Sequence, residues 1–229
     1  MRIFSGVERK FLPAWLCLAL CWFSCAPSRV VRPLNKGEKT VSFNLGGPLI
    51  HFSGAAIPMP LTSVMYARGI SQKTTAFASL HLTSLAFGVF QTDVGICRQL
   101  YYNPEQKFGI SANPVLNFAV DRWEGNKRLW PELDINLYKE FGKRHLLYGG
   151  VSNWLELNGN RPHGEKQADR LFINPHLGYG YSKRKWNYNL EVKWLAPGKA
   201  NQPNVAEYIG INHQGALGVY FNFTRKLFK

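Results

Sequence analysis

Three residues of this 229-residue chain have the types needed for nucleophilic hydrolysis: the Ser152 hydroxyl, the His176 imidazole and the Glu191 carboxylate. A serine attacks only when a neighbouring base takes its proton, and the base works best when an acid fixes its tautomer. A second set, Asp93, Glu132, Asp134, Glu156, Glu191 and Lys193, could form a charged network or line a pore. No Gly-rich phosphate loop, Cys-x-x-Cys pair or His-Glu-x-x-His run is present, so the sequence asks for no cofactor and no metal. The residues of both sets are scattered along the chain, and only elements that lie side by side could make them converge.

Those elements read as β-strands. In Trp186–Leu195 the large apolar residues Trp186, Tyr188, Leu190, Val192 and Trp194 fall on one parity, and Asn187, Asn189, Glu191 and Lys193 on the other. The uncharged face with Trp at both ends suits lipid and its two interfaces, and the polar face suits a wet lumen. Backbone groups in hydrocarbon must all be paired, so such a strand implies neighbours that close into a barrel.

Further stretches repeat this pattern. The spacing predicts strands at about 39–50, 61–70, 74–82, 89–101, 107–120, 131–141, 145–157, 170–181, 186–195 and 215–228. Pro114 inside the fifth is expected at a bulge, and Leu82–Gly88 is apolar without a strong turn signal. Connections 51–60, 121–129, 158–169 and 197–214 are long, whereas 71–73, 103–106, 142–144 and 182–185 are short. Ten strands with long and short connections alternating describe an all-β, closed antiparallel up-and-down transmembrane barrel over 39–229. Such a barrel sits in the cell outer membrane with its N-terminus and short turns in the periplasm. A soluble sandwich or lipocalin-like barrel also alternates, but would bury the apolar parity. Mean hydropathy of −0.21 does not discriminate, because alternation averages the two faces.

Ahead of the barrel, Arg2, Arg9 and Lys10 precede the thirteen-residue apolar run 11–23, too short to span a bilayer. Residues 1–24 therefore read as a signal peptide. Ser24-Cys25-Ala26-Pro27 resembles the lipobox of bacterial lipoproteins, with Trp22 and Phe23 departing from it, and that resemblance implies lipidation (palmitate) at Cys25; ordinary signal-peptide cleavage nearby is the alternative. Residues 25–38, with two prolines and four charges over 26–38, read as an extended, lipidated periplasmic tether. Cleavage leaves Cys97 and at most Cys25, so no disulfide or thiolate metal cluster is expected.

Cleavage at Cys25 removes three basic residues and one acidic one, taking the formal charge from +14 to +12. A secreted chain meets little nucleic acid, so anionic surfaces are the expected partners. The cations gather in the short turns, where Lys143, Arg144, Lys183, Arg184 and Lys185 form a basic periplasmic face for anionic lipid or an acidic periplasmic protein.

The run Leu61–Leu80 resembles the strand–turn–strand unit of small outer-membrane barrels. The whole chain, from the imperfect lipobox to Phe228, is similar to uncharacterised outer-membrane barrel lipoproteins of Bacteroidetes-type bacteria. The C-terminal aromatic strand resembles the signal read by barrel-assembly machinery, differing in its final Lys229. The resemblance implies a barrel in contact with outer-membrane lipids and brings no activity with it. Small barrels fill their interiors with hydrogen-bonded polar residues, which is the reading adopted for Ser152, His176 and Glu191. The expected function is a non-enzymatic structural, assembly or binding role. A barrel-embedded hydrolase and a narrow channel for small solutes are the alternatives.

Overall fold

The computed structural model describes residues 28–160, 166–200 and 207–227. Ten long strands lie in chain order around a closed barrel: β1 (Lys39–Phe52), β3 (Thr62–Ser71), β4 (Thr74–His81), β5 (Val89–Asn103), β6 (Phe108–Asp121), β7 (Lys127–Phe141), β8 (His145–Leu155), β9 (Leu171–Lys183), β10 (Trp186–Ala200) and β11 (Gln214–Lys226). The short β2 (Ala55–Pro58) pairs back onto the end of β1, and α1 (Leu82–Ala86) caps the connection from β4 to β5. All pairings are antiparallel between sequence neighbours, and β1 closes the barrel on β11 from Thr40 opposite Lys226 to Pro48 opposite Gly218. Closure leaves no unpaired edge along this wall.

The distribution of side chains is inverted relative to a water-soluble protein. Leu177, on the outer wall, is 62% exposed, whereas Asp93, Asn113 and Asn117 inside are 0% exposed. A soluble barrel would bury the apolar parity, so this inversion selects the membrane. The outward positions of β11, Val219, Phe221 and Phe223, face neighbours Val192, Leu190 and Tyr188 of β10, giving a continuous apolar belt. Among the described residues no helix is long and apolar enough to cross a membrane.

Several boundaries differ from the sequence expectation for identifiable reasons. Pro114 sits in an unbroken register opposite Leu133 rather than at a bulge. Its outward position and a gap in the β5 ladder at Ile96 and Cys97 accommodate its missing N–H; the irregularity of that pair lies between Gln99 and Tyr101. β7 begins at Lys127, before Pro131, which shortens the loop to 122–126. β10 runs past Leu195 to Ala200 through a register shift. In β1, Gly46 takes φ +137°, and a Cβ there would lie 2.2 Å from the Val219 carbonyl oxygen. Only glycine permits the strand to bend here as it leaves β3 and takes up β2.

Residues 28–38 are not a free tether. A ten-stranded barrel is wider than the eight-stranded barrel that side chains alone just fill, and this segment occupies the difference. Ser28, Arg29 and Val31 are buried within the lumen. The Val31 carbonyl accepts from Ser111 Oγ at 2.6 Å, the Val30 carbonyl from Asn113 Nδ2 at 3.0 Å, and the Leu34 N–H donates to Thr75 Oγ1 at 2.7 Å. The barrel wall thus supplies the partners that an extended segment cannot find within itself. Cys25 and the terminal Phe228-Lys229 lie outside the described residues.

Candidate functional site

The polar parity of the strands and the N-terminal segment together build one lumen site. β8, β9 and β10 do place Ser152, His176 and Glu191 on neighbouring strands with buried side chains. They do not connect them. Ser152 stands opposite Asn174, His176 opposite Gly150 on one side and Lys193 on the other, and Glu191 opposite Gly178. His176 Nε2 lies 2.8 Å from Asn136 Oδ1 and 3.7 Å from Asp134 Oδ1, and its Nδ1 has no hydrogen-bond partner among the described residues. Glu191 accepts from the Tyr148 hydroxyl at 2.9 Å and pairs with Lys193 Nζ at 3.0 Å. The imidazole lies over Gly150, where an added Cβ would come within 2.9 Å of Nε2. Its hydrogen-bonded edge is thereby turned toward β7 rather than toward Ser152.

The best-connected group is instead one that strand reading missed. Arg29 Nη1 lies 2.5 Å from Glu132 Oε2 and Nη2 lies 3.6 Å from Asp93 Oδ2. Asp93 also accepts from Ser79 Oγ at 3.0 Å and has His81 Nε2 at 3.2 Å. Asp134 receives the amides of Asn113 at 3.2 Å and Asn136 at 3.1 Å, carrying the network on to His176. A signal was present in the sequence. Asp93, Glu132, Asp134 and Glu191 all fall on the lumen parity against Lys193, and buried carboxylates in such excess require a cation from elsewhere.

Tyrosines pack the wall around this network. Tyr138 covers Gly109 and Tyr148 covers Gly178; a Cβ on either glycine would stand 2.3 Å or 2.2 Å from a ring atom. Each pair is a direct cross-strand neighbour, so the glycine makes room for the ring.

At the short-turn end the five turn cations Lys143, Arg144, Lys183, Arg184 and Lys185 are all exposed. The two turns that carry them are joined by the Ser182 N–H donating to the Arg144 carbonyl at 2.7 Å. An open cleft of ≈ 130 Å³ beside the N-terminal segment is bordered by Lys143, Arg144, Arg32 and Lys226. Arg32 pairs with Glu140 at 2.7 Å and Lys226 with Glu38 at 3.0 Å. Outside the membrane-spanning strands, burial alone would raise the Glu38 carboxyl. Lys226 and the Asn35 amides outweigh it and hold the pKa below the ordinary glutamate value. Among the described residues no group of three or more His, Cys, Asp or Glu could hold a metal ion.

No protein-family model matches the sequence, and no curated protein does. The fold defines a class, the transmembrane β-barrel, and solved outer-membrane barrels share it. An outer membrane channel from Pseudomonas putida F1 is similar at 10% identity and TM-score 0.46, over 88% of this chain and 100% of that one. The translocator domain of the autotransporter NalP from Neisseria meningitidis matches at 11% identity and TM-score 0.44, over 85% and 90%. The outer membrane protease OmpT from Escherichia coli matches at 12% identity and TM-score 0.39, over 89% and 96%. At these values the likeness concerns the barrel shape and transfers no activity.

Proposed function

We propose that this protein is a non-enzymatic outer-membrane barrel, closed to solute flow by its own N-terminal segment, that works by binding at its two rims. The observation that carries this reading is the seat of Arg29 between Glu132 and Asp93 inside the lumen. A residue tied to two carboxylates across the interior blocks the path that a narrow channel needs. A hydrolase needs a serine wired to its base, and His176 bonds to Asn136 instead. What remains available to partners is the loop end and the exposed basic rim of Lys143, Arg144, Lys183, Arg184 and Lys185, which points off the membrane edge toward an acidic soluble partner.

The test is electrical. The purified barrel reconstituted in a planar bilayer is expected to show no steady conductance, while a variant lacking residues 28–35 is expected to conduct. Stable open steps from the intact protein would replace this reading with the narrow-channel one.

A further inference from the structure

The outer wall of the barrel carries a charge pattern separate from the turns. Asp93, Asp121, Glu132, Asp134, Glu140 and Glu191, the acidic residues within the strands, all stand on the lumen parity, so the lipid-facing parity carries no carboxylate. It does carry cations at the short-turn edge, with Arg98 on β5, Lys139 on β7 and Lys183 on β9 spaced around the wall and three more grouped where the barrel closes. Lys39 on β1 is the direct cross-strand partner of Arg68 on β3. Arg225 on β11 is the direct partner of Val41, diagonal to Lys39, and on its other side faces Trp186 of β10. The Arg225 guanidinium carbon lies 5.7 Å from the Trp186 ring centroid.

Two like charges directly opposite each other on a sheet face are destabilising. None of these three cations has an ion-pair partner among the described residues, although Lys226, one residue from Arg225 on the lumen parity, is matched by Glu38. The arc spans β10, β11, β1 and β3 at the edge of the apolar belt. Val41, Phe43 and Leu45 follow Lys39 along β1, and Leu217, Val219, Phe221 and Phe223 precede Arg225 along β11. An anion that meets all three there must have its charge at headgroup depth and its apolar part along the belt.

We propose that Lys39, Arg68 and Arg225, with Trp186 as the aromatic floor beneath Arg225, form a binding site for the phosphate of an anionic phospholipid in the leaflet at the short-turn end. The phosphate bridges Lys39 and Arg68 and relieves their repulsion. Arginine offers it a planar fork of donors, and the indole sits at the interface where Trp is favoured. The acyl chains then lie along Phe43 and Phe223. This site faces lipid, whereas Lys143, Arg144, Arg184 and Lys185 lie in or beside the turns; Lys183, the cross-strand partner of Trp186, stands between the two groups, so the separation is tested at Lys143 and Arg144.

The experiment uses the full-length mature barrel in zwitterionic detergent micelles doped with phosphatidylglycerol or phosphatidylcholine, read by native mass spectrometry. Phosphatidylglycerol should remain bound and phosphatidylcholine should not. Inorganic phosphate at equal concentration should not displace the lipid, which separates a headgroup site from a free-phosphate site. The triple variant Lys39→Gln, Arg68→Gln, Arg225→Gln should retain phosphatidylglycerol about a hundredfold less well, at about tenfold or less per cation. The turn variant Lys143→Gln, Arg144→Gln, with Lys183, Arg184 and Lys185 unchanged, should retain it as the wild type does. Equal retention of both lipids by the wild type, which needs no variant to fold, would overturn the proposal. So would undiminished phosphatidylglycerol binding by a triple variant that still runs as a folded barrel when unheated, or displacement by inorganic phosphate.

Discussion

Arg29 and Glu132, 103 positions apart in the chain, meet in the barrel interior with Nη1 2.5 Å from Oε2 and both side chains almost fully buried. The pair joins the N-terminal segment to β7, and Asp93 joins it to β5. Removing one partner of a buried ion pair leaves the other uncompensated, at a cost of about 3–5 kcal/mol. Arg29→Ala should therefore lower the temperature at which the unheated, faster-running form is lost on a gel, and should speed tryptic cleavage after Lys36, since Pro33 closes the bond after Arg32 to trypsin. Glu132→Gln keeps one acceptor and leaves Asp93 in place, so its effect should be smaller. Equal and negligible effects of both changes would show that the segment is not held by this pair.

The strand walls were legible because alternation is enforced twice over, by lipid outside and by a wet, hydrogen-bonded lumen inside. Asn187, Asn189, Glu191 and Lys193 all turn inward as their parity requires, and Trp186, Tyr188, Leu190 and Val192 outward. Arg29 was not legible from periodicity, since a segment that lies inside a barrel has no repeat of its own, and its place follows only from the surplus of inward carboxylates. The separation of Ser152 from His176 was equally hidden. Neighbouring strands bring residue types near one another, but whether they bond depends on register and on Gly150 giving the imidazole a seat.

The tyrosine–glycine pairs make a second prediction, about packing. Gly109→Ala would bring a Cβ to 2.3 Å from the Tyr138 ring, and Tyr138, almost fully buried, has little room to give. The change should destabilise the barrel by about 1–3 kcal/mol, as overpacking does. In a Tyr138→Ala background the same change should be much better tolerated, giving a coupling of about 0.5–3 kcal/mol in the double-mutant cycle. Urea unfolding of the four proteins in detergent measures it, and strict additivity would mean that the two side chains do not share space.

Acid should loosen the base of the N-terminal segment before it unfolds the wall. Folding lowers the Glu38 pKa through Lys226 and the Asn35 amides, against the opposing effect of burial. A group whose pKa falls on folding contributes stability above its unfolded value and loses it as pH drops through the folded one. Hydrogen exchange of residues 34–39, corrected for the intrinsic pH effect, should therefore accelerate below the ordinary glutamate pKa of about 4.3. Glu38→Gln should show the faster exchange already at neutral pH and no further acid step. An acid step of the same size in Glu38→Gln would move the cause to another group.

A lipid anchor on Cys25 and a seated N-terminal segment compete for the same stretch of chain. Ser28 is buried within the lumen, and three residues of fully extended chain reach about 10 Å. The wall around Ser28 is closed, so anchoring Cys25 in the membrane is expected to favour withdrawal of Ser28, Arg29 and Val31, which leaves Glu132 and Asp93 unmatched. The folded barrel with Arg29 in place is thus expected to carry no fatty acid at position 25, with signal-peptide cleavage nearby supplying the mature N-terminus. Growth with labelled palmitate should leave the heat-modifiable form unlabelled. Cys97→Ser should not alter that result, because Cys97 is fully buried with Sγ 3.8 Å from the Val31 carbonyl oxygen. Label on the folded barrel that disappears in Cys25→Ser would place the anchor on Cys25, and trypsin should then cut the labelled protein after Arg29.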